Sequence, residues 1–309
     1  MSNNLDDLKK VYDDIEMPDN LSEFVNISLD KGRSRMKSDK RKNNWIKGFA
    51  ATAAVFTVFT ISVNTMPAFA NSLKGVPIVG TLVKVLQFNK GTAVGGKITD
   101  GADANSIILK QNAINETLVI NFTNNSDNKV TDNVAHFKVD YKNNPSTMTF
   151  TINGARALSA EKDFENMKKS SYVSDVYKNM ILDDSAVKFT IVFNKPVKYE
   201  VKEYKNPGHI AVTLSEDKNE IAKTIYSVRT PSYEYGENLG MIEEQLFEEL
   251  NVRTLKDNKG TFCIDAGVFN TKAGAEAKIK DLTTKYGENL KLVVEERNSL
   301  DIPKERMAP

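Results

Sequence analysis

Cysteine is almost missing from these 309 residues: Cys263 stands alone, so neither an intrachain disulfide nor a multi-cysteine zinc site can form. Histidine is nearly as scarce, and His136 and His209 leave little material for histidine-based catalysis or His-rich metal binding. GxSxG, HExxH, Walker A and GxGxxG motifs are missing too, as is any nucleophile–base constellation. The expectation is therefore a protein that is not an enzyme and uses no cofactor or metal. Net charge is only +1, which gives no support to a globally basic nucleic-acid binder. Hydrophobic residues at 40% and charged residues at 27% exclude a wholly disordered chain and a polytopic membrane protein. The length implies two or more folded units.

Charge is locally absent from one segment. Gly48 to Val63 reads GFAATAAVFTVFTISV, and with Trp45, Ile46 and Lys47 the stretch approaches 18 or more residues. As a helix, about 18 residues span roughly 27 Å, close to a hydrocarbon core. No polar stripe interrupts it. A transmembrane helix is expected at 45–66. Lys31, Arg33, Arg35, Lys37, Lys40, Arg41, Lys42 and Lys47 precede the run, opposed only by Asp39. The positive-inside bias places the N-terminus in the cytoplasm and the long C-terminal part outside the cell membrane. Ala68-Phe69-Ala70 also has the small-x-small pattern of a signal-peptidase site, so Ala68 and Ala70 mark an alternative cleaved form. Both forms put residues 71–309 outside.

Residues 1–44 form an acidic tail followed by the basic patch. Leu5, Leu8, Tyr12 and Ile15 share one helical face; after Pro18, so do Leu21, Phe24, Val25 and Leu29. Two such short helices cannot bury their apolar faces alone. The tail is either a solvated segment or a hook for a cytoplasmic partner, with Leu21, Phe24, Val25 and Leu29 as the contact residues. Three stretches together carry a family resemblance: MPDNLSEFVNISLDKG, KSDKRKNNW and SVNTMPAFANSLKGVPIVGTLVKVLQF. They look like the N-terminal part of membrane-bound anti-sigma-factor-like proteins. The resemblance implies a cytoplasmic segment that restrains a sigma factor and an outer region that senses the envelope.

Residues 72–103 read as a juxtamembrane helix and linker. Leu73, Val76, Val79, Leu82, Val83 and Leu86 suit an amphipathic helix over 72–88, lying near the membrane or opening the outer core. Gly91, Gly95, Gly96 and Gly101 make the linker flexible. Residues 104–221 form a β-rich domain: alternation predicts strands at 107–109, 118–122, 137–141, 148–152, 187–193, 199–204 and 210–214, and a helix over 159–182. The stretch VKFTIVFNKPVKYEVKEYKNPGHIAVTLS at 187–215 resembles an AMIN-type envelope module, in its strand, Lys-Pro turn, strand, Asn-Pro turn, strand rhythm. His209, beside a turn, reads as a surface residue.

The C-terminal stretch repeats a pattern. Tyr226–Tyr233 precedes a helical run at Asn238–Leu250, Phe262–Phe269 precedes another at Lys272–Tyr286, and Leu290–Glu295 supplies a closing strand. The expectation is a βαββαβ unit with two helices on one side of a sheet. TFCIDAGVFNTKAGAEAKIKDL and the doubled pattern over 225–297 resemble the SPOR domain, which implies binding of peptidoglycan glycan strands. Alternation turns Ser227, Arg229, Cys263 and Asp265 away from the helices. An open face with those groups, rimmed by Tyr233 and Phe269, suits a glycan; the candidate binding residues are Ser227, Arg229, Tyr233, Asp265 and Phe269.

The whole chain thus reads as α+β: a single transmembrane helix, a β-rich extracytoplasmic domain, a SPOR-like domain at 222–300 and a tail at 301–309. Its expected role is that of an anti-sigma-factor-like regulator binding peptidoglycan outside and a sigma factor inside. The alternative is a structural wall-binding division or sporulation protein without sigma-factor regulation.

Overall fold

Period-two alternation builds most of the structure, a computed structural model that describes residues 80–112 and 115–307. Leu118, Ile120 and Phe122 of β4 (Glu116–Asn124) are fully buried on one side, in line with Ile210, Val212 and Leu214 of β11 (His209–Glu216). Facing them are Phe137 and Val139 of β5 (Phe137–Lys142), Phe150 and Ile152 of β6 (Thr147–Asn153), and Phe189 and Ile191 of β9 (Ala186–Phe193). These residues form one core between two sheets. Each such side chain stabilises the fold by roughly 1.5–3 kcal/mol on burial. Phe150 and Phe189 stack at 5.1 Å across the β6–β9 pair.

The first sheet has six strands in the order β1-β10-β11-β4-β3-β7, with β1 Thr81–Val85, β3 Ala102–Gln111, β7 Ala155–Ala157 and β10 Val197–Lys205. Only β3–β7 is parallel. The second has five, β2-β5-β6-β9-β8, with β2 Thr92–Gly95 and β8 Val173–Lys178. A third, four-stranded sheet follows in the order β13-β14-β12-β15. Its elements run in chain order as β12 Thr224–Arg229, α2 Glu237–Gln245, β13 Arg253–Lys256, β14 Phe262–Phe269, α3 Lys272–Tyr286 and β15 Val293–Asn298. Leu239, Leu246, Ala275 and Leu282 pack against Val228, Ile264 and Ala266 in a second core. Thr271 caps α3 by accepting from the Gly274 amide at 3.2 Å.

Several expectations need correcting. The α+β reading gives way to a strand-dominated fold, in which helix among the described residues is confined to α1 (Phe164–Met167), α2, α3 and short 3-10 turns. Among the described residues no helix is long and apolar enough to cross a membrane. The segment expected at 45–66 lies outside the described residues, as do Leu21, Phe24, Val25, Leu29, Ala68 and Ala70. The C-terminal stretch is not the separate SPOR-like βαββαβ domain that was expected. It belongs to the same compact unit as the two-sheet sandwich, and it is bolted to the sandwich through β13. The helix expected over 72–88 is instead β1 where it is described, because Leu82 and its neighbours pair with the open edge of β10. The helix over 159–182 breaks after Met167. Glu116 holds the Ser170 hydroxyl and the Ser171 amide, and Val173, Val176 and Tyr177 then pair with β9. The AMIN-like stretch is split between sheets: β9 lies in the second, β10 and β11 in the first. His209 is no surface residue; it is fully buried, stacked at 4.6 Å on Tyr204.

Candidate functional site

The helix-free face of the third sheet gathers a group of buried charges. Ser227, Arg229, Cys263 and Asp265 alternate with Val228, Ile264 and Ala266, so they lie away from the helices. A bulge shifts the register between Val228–Gly267 and Arg229–Asp265. Gly267 takes φ +138 there, and its amide donates to Asp265 Oδ1 at 3.1 Å. The bulge thus turns the Asp265 carboxylate back onto its own strand.

Around Asp265 the side chains interlock. Ser227 Oγ donates to Oδ1 at 3.2 Å; Arg253 donates to Oδ2 from Nε at 3.3 Å and from Nη2 at 3.2 Å. Arg297 Nη2 stands 3.9 Å from Oδ2. Arg229 pairs with Glu295 at 2.6 Å and donates to the carbonyls of Thr230 and Lys304. Three guanidinium groups against two carboxylates leave one positive charge in excess. Backbone oxygens absorb it. Arg253 also donates to the carbonyls of Asn143, Asn144 and Pro145 and to Thr147 Oγ1, and Arg297 donates to the carbonyls of Asn144 and Asp301. Burial pushes the Arg297 pKa below its ordinary value and raises the Cys263 thiol to about 12. That thiol is neutral and unreactive at physiological pH.

The placement corrects the expected glycan face. Ser227, Arg229 and Asp265 are buried, because the turn from β5 to β6 covers one side and residues 299–307 cross the other. Tyr233 and Phe269 do not rim that face; both pack against the helix-side core, and Tyr233 pairs by backbone with Phe262. Arg253, Glu295 and Arg297 were missed in the sequence. Arg253 sits on β13, a four-residue strand whose only local signal is the Asp257–Gly260 turn that follows. Glu295 and Arg297 share the parity that puts Val294 on the other face.

Where β13 meets the sandwich, a small cleft of about 30 Å³ is lined by Asp140, Lys142, Thr149, Asn179, Lys188, Val252, Arg253 and Thr254. Lys142 Nζ donates to the Val252 carbonyl at 3.1 Å. Burial, with the nearby Arg253 adding, pushes its pKa down to about 8. Lys188 pairs with Glu243 and Tyr177 donates to the Thr254 carbonyl at 3.0 Å, so most of these groups hold the junction. Among the described residues no cluster of three His, Cys, Asp or Glu side chains could hold a metal ion.

Comparison with known proteins bears on the other end of the chain. No curated protein and no solved structure matches it. One family model does, described as Domain of unknown function (DUF4179), over residues 40–141, from the basic patch through the apolar run into β5. This part of the chain is thereby similar to a family known in anti-sigma-factor-like membrane proteins.

Proposed function

We propose that the protein is a single-pass, anti-sigma-factor-like regulator, with residues 1–44 in the cytoplasm and an outer unit that reads the cell wall. The observation that carries this reading is the span of the family match. It takes in the end of the basic flank, the apolar run and the first five strands together. A match that joins an apolar run to folded strands fits a protein that couples outside to inside. The charge asymmetry around Gly48–Val63 supports the orientation. The wall-reading part rests on the same orientation, which puts the long C-terminal unit on the side of the membrane where the cell wall lies. Capture of a sigma factor by residues 1–44 is the test. Leu21→Asp combined with Phe24→Asp is expected to abolish capture by placing charges on the apolar face. A tail that captures no sigma factor, with sigma-dependent transcription unchanged on deletion of the gene, leaves the structural wall-binding alternative.

A further inference from the structure

The helix-free face is closed by a segment fastened by a row of polar bonds. After β15 the chain turns, the amides of Leu300 and Asp301 donating to Asn298 Oδ1 at 2.9 Å and to its carbonyl at 3.1 Å. Residues 302–307 then run back along the sheet. The Lys304 amide donates to Glu295 Oε1 at 2.7 Å, and its carbonyl accepts from Arg229. The Pro303 carbonyl accepts from the Asn258 amide at 3.0 Å, while the Glu305 amide donates to Asn258 Oδ1 at 2.7 Å. Ser232 closes the far end, its amide donating to the Arg306 carbonyl at 2.7 Å and its hydroxyl oxygen accepting from the Arg306 amide at 3.0 Å.

The apolar side chains of the segment are mostly only part-buried. Leu300 is 37% exposed, Ile302 39% and Met307 56%; only Pro303 is buried. Its hydrogen-bond partners on the sheet and its turns are Arg229, Glu295, Asn258 and Ser232. A segment held largely by hydrogen bonds, with only Pro303 fully buried among its apolar side chains, opens locally at lower cost than the sheet beneath it. The groups uncovered cannot stay unpaired. Arg229 is 1% exposed, and without the Lys304 carbonyl it needs another acceptor.

We propose that residues 302–307 are a releasable strap, closing in cis a polar groove that takes a glycan strand of the cell wall when the strap lifts. Donors at Arg229 and Ser232 meet the sugar's acceptor oxygens, and the Glu295 carboxylate and Asn258 carbonyl oxygen meet its hydroxyls and amides. The glycan as occupant rests on the wall-reading function proposed above; the strap and groove do not.

Hydrogen exchange in the full chain tests the release. The amides of Lys304, Glu305 and Arg306 are expected to exchange at least about 100-fold faster than those of Thr230 and Ile264, which pair within the sheet. Equal protection, lost only on global unfolding, overturns the proposal. A chain ending at Asp301 keeps the acceptor of Arg297 and removes the strap. It is expected to stay folded by circular dichroism, to expose Cys263 to a thiol reagent, and to bind the peptide Ile302–Pro309 added in trans. Unfolding of that chain, or a folded chain that ignores the peptide, also overturns it. Purified peptidoglycan is the last arm. The shortened chain should sediment with it more than the full chain does, and the peptide should compete. A chain that binds the peptide but not peptidoglycan keeps the strap and groove but removes the glycan as occupant, and with it the wall-reading function.

Discussion

Replacing Arg253 by methionine tests whether the third sheet and the sandwich are one cooperative structure. Methionine keeps an unbranched apolar stem but removes the guanidinium. The carbonyls of Asn143 and Pro145 then lose their guanidinium donor, Asn144 keeps only Arg297, and Thr147 Oγ1 loses a bond. Asp265 retains Ser227 and the Gly267 amide, with Arg297 at 3.9 Å. Removing one partner of a buried ion pair costs ~3–5 kcal/mol, whereas exposed pairs are worth ~0–1 kcal/mol. Arg253 is only 7% exposed, so the buried figure applies. For a unit of this size each kcal/mol shifts the melting midpoint by about 2–4 °C, giving a fall of roughly 6–20 °C. Urea unfolding followed by circular dichroism measures the loss. A broadened or split transition is also expected, since Arg253 joins β13 to the turn after β5. Arg253→Lys should rescue little, because an ammonium cannot fork to several carbonyls at once. A loss below about 1 kcal/mol with an unchanged single transition would refute the reasoning, placing Arg253 with surface pairs.

Other expectations follow from the same contacts. Tyr177→Phe removes the hydroxyl that donates to the Thr254 carbonyl and should cost ~1 kcal/mol or somewhat more by urea unfolding, because the carbonyl is left buried. Glu249 accepts from Lys278, Lys285 and Tyr286, and the Lys278 bond leads in holding its carboxyl down to about 2. A depressed carboxyl pKa stabilises the fold fully above the ordinary value near 4.5, and that stabilisation fades as pH falls through about 2. The stability gap between the native chain and Glu249→Gln should therefore be widest near neutrality and close towards pH 2; a gap independent of pH contradicts the assignment. Ile264→Asp should abolish cooperative unfolding, since it puts a charge into the fully buried layer between sheet and helices. Reporter fusions after Asp30 and after Lys90 should be active inside and outside the membrane respectively, and the opposite pattern would overturn the topology.

The alternation in the sequence was enough to locate seven of the nine strands between Ala102 and Glu216, because a half-buried strand writes its two faces directly into the order of its residues. The uncharged run and its basic flank likewise carry the expectation of an anchor by themselves. Other assignments depended on partners far away in the chain. Residues 81–85 have an apolar spacing that also suits a helix, and only the free edge of β10 makes them a strand. Val173–Lys178 reads as the end of a helix until β9 offers it a ladder. The parity of Ser227, Arg229 and Asp265 is local. Whether that face meets water is not, because the groups that cover it come from Asn143–Pro145 and from residues 299–307. Alternation tells which side of a sheet a residue takes; only tertiary packing decides what lies on that side.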